Sequence, residues 1–191
     1  MKNLAVILII MIFSVGFSAE VVCKPTPSSI KFAGTPNSPI EVTMFISASC
    51  PPCKQAAVMF YEMANSVYKG KMKVSIKPLY KQLGDIALIA ANNQNKSWEL
   101  IRAYSNISRR IDAENMIDLF NEAGIDLDKI NKDMQDSTKI FKILEANYAE
   151  SQKCGLNFTP HIIINGVSFN EEITPQRVMD YINKLLRNKE K

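Results

Sequence analysis

The sequence predicts an α/β fold in which a long helical segment interrupts the part of the chain that forms the sheet. Three observations support this prediction. Apolar runs typical of buried strands lie at 40–46 and 162–164, and an alternating strand pattern lies at 72–76. Between the strands at 72–76 and 162–164, residues 81–153 carry apolar stripes at helical spacing and no strand pattern. The length of 191 residues fits one sizeable domain that contains an insertion.

The composition is that of an ordinary globular protein. Hydrophobic residues make up 47% and charged residues 22%, which excludes wholesale disorder. The 23 basic and 19 acidic residues leave a formal net charge of +4, which is too small and too scattered to indicate a nucleic-acid-binding protein. The sequence has four cysteines and one histidine. What the cysteines do depends on their spacing and on the compartment.

The first residues have the pattern of a secretory signal peptide. A short basic start is followed by an unbroken apolar run at 4–13, which is short for a membrane-spanning helix. Gly16 and Ser18 supply the small residues that precede a cleavage site, so we predict a signal peptide over 1–18. The alternatives are an uncleaved membrane anchor and a lipoprotein acylated at Cys23. Export to an oxidising compartment such as the periplasm would allow disulfides to persist.

The mature chain begins with a proline-containing lead-in at 19–39. A strand then runs over 40–46, and the motif Cys-Pro-Pro-Cys follows at once. A helix is predicted from this motif to about Tyr68, and a strand over 72–78 is closed by a proline. This strand–helix–strand order predicts two parallel strands with a right-handed crossover.

The helical segment and the C-terminal part complete the predicted elements. We predict three or four helices within the insertion, at 85–92, 97–104, 113–123 and 137–153. An Asn-Gly pair between two apolar runs then predicts a hairpin over 162–169. A final helix is capped by Thr174 and begins at Pro175. Five lysines are predicted to form a solvent-exposed edge rather than an anion site: Lys69, Lys71, Lys73, Lys77 and Lys81.

The Cys-Pro-Pro-Cys motif lies at the junction between a strand and a helix. Cys50 is placed at the helix N-cap and Cys53 in the first turn, so free N–H groups and the helix dipole point at the Cys50 sulfur. Such a thiolate is stabilised, and its pKa falls. Pro51 and Pro52 are tolerated there because the first N–H groups have no partner within the helix. The alternatives are a structural disulfide and a zinc site, but zinc would need further ligands and His161 is the only histidine.

A second signal is Thr159-Pro160, just before the returning strand. A proline that enters a strand cannot donate a ladder hydrogen bond. A cis peptide bond at Pro160 would bring this backbone against the end of the Cys50 helix and leave groups free to pair with an extended substrate.

Together these residues resemble the thioredoxin superfamily, and within it the DsbA-like branch of secreted thiol–disulfide oxidoreductases. The resemblance covers about Ser28 to Leu186 and rests on four stretches of sequence: FAGTPNSPIEVTMF, CPPC, ALIAANNQNKSWEL and GLNFTPHIIINGV. It implies a thioredoxin-like fold with a helical insertion. Residues 40–80 and 154–191 would form the thioredoxin-like domain, and residues 81–153 would form the insertion.

The resemblance also implies a role for each site residue. Cys50 is the cysteine that substrate attacks, and Cys53 is the buried resolving cysteine. Pro160 is the cis-proline, and the Thr159 backbone meets the substrate chain. The dipeptide Pro51-Pro52 lacks the histidine that the most oxidising members carry.

The implied activity is disulfide formation in exported proteins by dithiol–disulfide exchange. The clients would be reduced or misoxidised exported proteins, and a quinone-linked membrane partner would reoxidise a monomeric enzyme that needs no cofactor or metal. A disulfide isomerase or reductase of the same fold and a non-catalytic peptide-binding or chaperone module are the alternatives. Cys23 and Cys154 are predicted to form a structural disulfide, with two free thiols or an intermolecular bond as alternatives.

Overall fold

The computed structural model describes residues 22–108 and 110–189. The predicted signal peptide at 1–18 lies outside the described residues, so its presence and cleavage stay predictions. Within the described ranges, no helix is both long enough and apolar enough to cross a membrane.

A five-stranded mixed sheet forms the centre of the structure, with the strands in the order β1-β3-β2-β4-β5. Strands β2 and β3 are parallel, and the other neighbours are antiparallel. The predicted strand–helix–strand unit is therefore present. The bounds are β1 Ala33–Gly34, β2 Ile40–Ile46, β3 Met72–Pro78, β4 His161–Ile164 and β5 Val167–Ser168.

Seven α-helices occur in the described residues, and five of them lie between β3 and β4. They are α1 Pro51–Asn65, α2 Leu83–Ala91, α3 Ser97–Ser105, α4 Ala113–Glu122, α5 Leu127–Gln135, α6 Ser137–Lys153 and α7 Pro175–Lys189. A short 3-10 helix, Asn92–Gln94, extends α2. As predicted, α7 follows a Thr174 cap, whose Oγ1 accepts a hydrogen bond from the Arg177 N–H at 3.4 Å.

Three elements differ from the sequence-based expectation. The lead-in contributes β1, which is only two residues long and is recognisable only by its pairing with β3. Helix α1 ends at Asn65 rather than Tyr68, because Ser66 leaves the helical conformation. Helix α5 was not predicted. Ile130 is its one fully buried residue, and Leu127 and Met134 on the same face are only half-buried, so its apolar stripe is short, although Asp126 caps its first turn.

The expectation that Lys77 lies on a solvated edge is wrong. Its side chain is 1% exposed, although Lys69 and Lys71 are exposed as expected. The lead-in and α6 cover the end of β3, and there the Lys77 ammonium donates to Thr26 Oγ1 at 2.9 Å and pairs with Glu150. A buried ammonium requires such partners, and both come from segments distant in sequence.

Strand β2 positions the reactive motif. Five of its seven residues are buried to 1% exposure or less: Ile40, Val42, Met44, Phe45 and Ile46. The buried residues Ser47 and Ala48 continue the chain from this strand into α1. Because both ends of this short loop are held by packed elements, the start of α1 has a fixed place at the C-terminal end of the central strand.

A candidate redox-active site

Cys50 is the N-cap residue of α1, as the sequence predicts. Its backbone is extended, with φ −94° and ψ 111°, and its sulfur accepts a hydrogen bond from the Cys53 N–H at 3.3 Å. Pro51 and Pro52 occupy the first two helical positions, where their missing N–H groups leave no helix bond unmade. The arrangement directs the helix N-terminus at a half-buried sulfur.

The surroundings of Cys50 favour its thiolate. Hydrogen bonds and charge together lower the pKa of Cys50 from 9.0 to about 6, against the opposing effect of burial. The hydrogen bond from the Cys53 side chain is the largest contribution, and the Thr159 side chain, the Cys53 N–H and the positive charge of Lys54 make smaller ones. A thiol with this pKa is mostly ionised at neutral pH, which makes Cys50 a good leaving group.

Cys53 has the opposite character. It is 0% exposed, and burial together with the neighbouring Cys50 raises its pKa far above the ordinary thiol range. Both cysteines are free thiols in this structure. The pair is therefore asymmetric, with one accessible thiolate and one buried protonated thiol, and this is the arrangement that directed dithiol–disulfide exchange requires.

The Thr159-Pro160 peptide bond is cis. It brings the Thr159 carbonyl oxygen within 3.5 Å of the Cys50 sulfur, although the two residues are 109 positions apart. Pro160 is buried and Thr159 is half-buried, and the preceding Phe158 is 64% exposed. The structure therefore brings together the four residues predicted to form the site.

Cys23 and Cys154 are joined by a disulfide that spans 131 positions, with their Cα atoms 5.2 Å apart. Cys154 is fully buried beside Phe45, and its carbonyl oxygen accepts a hydrogen bond from His161 Nε2 at 3.0 Å. His161 is thus a buried strand residue with a bonded ring. The described residues contain no group of three or more side chains suited to hold a metal ion.

Two charged residues of the site were missed by sequence reasoning. Lys54 directly follows Cys53, yet its side chain is only 4% exposed and its ammonium donates to the Ile107 carbonyl at 3.0 Å. Burial lowers the pKa of Lys54, and the negative charge of Cys50 opposes this effect. In the sequence, only the position of Lys54 directly after the Cys-Pro-Pro-Cys motif indicated that it belongs to the site.

The second missed residue is Asp85, which the sequence marked only as the start of a helix. It lies fully buried in the first turn of α2, and its Oδ1 accepts a hydrogen bond from the Ala48 N–H at 3.2 Å. Burial raises the pKa of Asp85 to about 7. The site therefore combines a thiolate, a buried thiol, a buried ammonium and a buried carboxyl group.

A family model described as Thioredoxin matches residues 27–184. The chain belongs to the thioredoxin family. The predicted α/β thioredoxin-like fold is confirmed, and the DsbA-like resemblance is confirmed as a likeness of fold. No curated protein sequence matches the chain.

Solved structures share the fold at low identity. The thiol-disulfide exchange protein alpha-DsbA2 from Wolbachia pipientis superposes with a TM-score of 0.72 at 20% identity, covering 82% of this chain and 87% of that one. BdbD from Bacillus subtilis superposes with a TM-score of 0.72 at 17% identity, covering 88% of this chain and 98% of that one. A thioredoxin-like oxidoreductase from Silicibacter pomeroyi superposes with a TM-score of 0.72 at 17% identity, covering 84% of this chain and 94% of that one.

Proposed function

We propose that this protein is an exported thiol–disulfide oxidoreductase that forms disulfides in other exported proteins through Cys50 and Cys53. One observation carries the proposal. The accessible Cys50 sulfur is held at a helix N-cap, beside the buried Cys53 thiol and 3.5 Å from the carbonyl that precedes a cis-proline. The lowered pKa of Cys50 and the raised pKa of Cys53 support the same assignment.

The reaction proceeds by two exchanges. A client thiolate attacks Cys50 Sγ in the oxidised pair, the bond between Cys50 and Cys53 breaks, and Cys53 leaves and becomes a thiol. A second client thiolate then attacks the client sulfur of this mixed disulfide, which forms the client disulfide and releases Cys50 as a thiolate. The stabilised thiolate favours this release, because a thiol of low pKa leaves faster.

The surface around Cys50 fits an unfolded client segment. Thr159 places backbone beside the sulfur, and Pro51, Pro52 and Phe158 expose apolar surface next to it. A cavity of about 310 Å³ lies between α1 and the segment that leads into α7. It is lined by Pro52, Gln55, Ala56, Met59, Ile173 and Pro175. An apolar client side chain near the reacting cysteine is its proposed occupant.

The remaining parts of the proposal come from the sequence and the family. The signal-like segment at 1–18 supports a periplasmic or other extracytoplasmic location after cleavage. Reoxidation by a quinone-linked membrane partner and a monomeric state are proposed with the same function. The helices within 81–153 are proposed to be an insertion into the thioredoxin-like domain formed by 40–80 and 154–191.

The test uses the oxidised protein and a reduced, unfolded client that has two cysteines. We expect wild type to transfer one disulfide per molecule and Cys50→Ala to transfer none, as measured by the mass of the alkylated client. The Cys23→Ala/Cys154→Ala double variant retains Cys50 and Cys53 and is the matched control, expected to transfer normally. Unchanged client oxidation by Cys50→Ala would exclude the proposal and favour a peptide-binding role.

A further inference from the structure

The end of the molecule opposite Cys50 brings together three parts of the chain that the exchange chemistry does not use. The first is a turn over 66–71. Helix α1 has Cys50 as its N-cap and this turn at its other end, about 22 Å away at 1.5 Å per residue. The Lys71 carbonyl accepts a hydrogen bond from the Ile40 N–H at 3.1 Å, so the turn lies at the start of β2.

The second part is the C-terminal half of α7. This helix begins at Pro175, which lines the same cavity as Pro52 in the first turn of α1. Farther along, Asn183 Oδ1 accepts a hydrogen bond from the Tyr68 hydroxyl at 3.1 Å. The two helices therefore run side by side in the same direction, and the residues of α7 that follow Asn183 reach the end of the molecule formed by the turn over 66–71.

The third part is the beginning of the lead-in. The Cys23 N–H donates to the Gly166 carbonyl at 2.7 Å, in the turn between β4 and β5. The neighbouring residue of that turn, Asn165, accepts a hydrogen bond from the Glu41 N–H at 2.8 Å through its side chain. The first described residues of the lead-in therefore also lie beside the start of β2.

This end of the molecule is basic, and we name it the basic end. Its five exposed cations have no ion-pair partner within the described part of the chain: Lys24, Lys69, Lys71, Lys184 and Arg187. Of the carboxylates that border it, Glu41 is paired with Lys73 at 3.1 Å, and Asp180 on α7 accepts a hydrogen bond from Gln176. Acidic residues are concentrated elsewhere, since the segment 112–136 has eight acidic and two basic residues and its helices α4 and α5 pack on α3 and α2.

Two features indicate that a membrane surface covers the basic end. Val22 and Val67 are 77% and 62% exposed there, and basic residues next to exposed apolar side chains are the pattern that attaches proteins to anionic lipid. The second feature is the apolar run at 4–13. Only nine residues separate its end from Val22, and nine residues span at most about 30 Å. Whenever this run is inserted in a membrane, the basic end is therefore held close to the lipid.

We propose that the basic end binds the headgroups of anionic phospholipids, so that the protein lies on a membrane surface with Cys50 directed away from it. The inference goes beyond the exchange activity, because it concerns a surface at the other end of the molecule. The sequence indicated only a solvated edge at Lys69 and Lys71, because the fold brings the cations of α7 beside them. Electrostatic binding of this kind is reversible and screened by salt, so the protein is also free to turn Cys50 toward a membrane partner.

The test measures the partition of the purified full chain onto lipid vesicles. One set of vesicles contains phosphatidylcholine alone and the other also contains phosphatidylglycerol, and the measured quantity is the ratio of the two partition coefficients. Insertion of the apolar run at 4–13 acts on both sets and cancels in this ratio. Because each basic residue near an anionic surface contributes about fivefold, we expect a ratio above about a hundred in wild type at low salt, and a fall toward one as salt is added. A ratio near one at low salt would overturn the inference.

A matched pair of variants assigns the binding to the basic end. The first replaces four of its five cations: Lys69→Gln, Lys71→Gln, Lys184→Gln and Arg187→Gln. The second removes the same number of charges from exposed positions on α5 and α6: Lys129→Gln, Lys132→Gln, Lys139→Gln and Lys142→Gln. We expect the ratio to fall by at least about a hundredfold in the first variant and to stay within about threefold of wild type in the second. Equal losses would assign the binding to net charge and contradict the proposal.

The orientation of the bound protein is tested at Cys50 itself. Iodoacetamide, which is uncharged, should alkylate Cys50 of reduced, vesicle-bound wild type at the rate measured for the free protein. Protection of Cys50 by the vesicles would show that the other end of the molecule meets the lipid and would overturn the proposal. Both variants retain Cys50 and Cys53 and should oxidise the reduced client normally, so failure of the proposed exchange activity is a separate result.

Discussion

The ionisation of Cys50 is the property on which the proposed chemistry depends most directly. With a pKa of about 6 in place of 9.0, the thiolate of the reduced protein outnumbers the thiol about tenfold at pH 7, whereas in an ordinary cysteine the thiol is in about hundredfold excess. The gain in thiolate is about 90-fold. Because nucleophilicity falls with pKa, each thiolate reacts about 20-fold more slowly, and the net gain in alkylation rate is only about fourfold.

The midpoint of the titration is therefore a sharper measure than the rate. We expect the ultraviolet absorbance of the thiolate in reduced wild type, corrected with Cys50→Ala, to rise through a single step near pH 6. Cys53 adds no second step in this range, because its pKa is raised far above it. A midpoint at pH 8 or above would refute the argument that the helix N-cap and its hydrogen bonds stabilise the thiolate.

A matched pair of variants identifies the cause of the shift. The hydrogen bond from the Cys53 side chain is the largest contribution to the lowered pKa of Cys50. Cys53→Ser retains a side-chain donor and Cys53→Ala does not, whereas both keep the backbone N–H that bonds the sulfur at 3.3 Å. The midpoint should be lower in the serine variant. Equal midpoints would assign the effect to the backbone N–H and the helix dipole instead.

Two further predictions concern the surroundings of this pair. Lys54→Met removes a positive charge that lowers the pKa of Cys50, so the midpoint of the Cys50 titration should rise. Lys71→Met, at an exposed position, should leave this midpoint unchanged. Equal midpoints in the two variants would exclude a role for the Lys54 charge. Loss of the Cys23–Cys154 disulfide in the double alanine variant opens a loop of 131 positions and should lower the free energy of unfolding by up to about 5 kcal/mol in urea titrations. Loss of less than about 1 kcal/mol would contradict that structural role.

Local patterns made much of the fold predictable. The buried strand at β2, the motif that opens α1 and the alternation along β3 each have a signal within a short stretch of sequence. Strand β1 lacks such a signal, since it is defined by its pairing with β3, and the apolar stripe of helix α5 is short, with one fully buried side chain. The burial of Lys77 depends on Glu150, which lies 73 positions away.

The same distinction applies to the site. Cys50, Cys53 and Pro160 were predictable because cysteine spacing and a proline at a strand entrance carry their own physical meaning. Asp85 was not, because its significance comes from the packing of α2 against a loop 37 positions earlier in the chain. An acidic residue in the first turn of a helix is ordinarily a favourable dipole interaction, and only the structure shows this one fully buried.

The reduction potential of the Cys50–Cys53 pair is the most direct test of the proposed oxidising role. A pKa of about 6 lies between the values of about 7 for thioredoxin and about 3.5 for DsbA, whose potentials are about −270 and −120 mV. Linear interpolation predicts about −230 mV for the purified protein equilibrated with glutathione buffers, a pair more oxidising than thioredoxin and less oxidising than DsbA, in keeping with its two-proline motif. A potential at or below about −270 mV would contradict the proposal and identify the protein as a reductant.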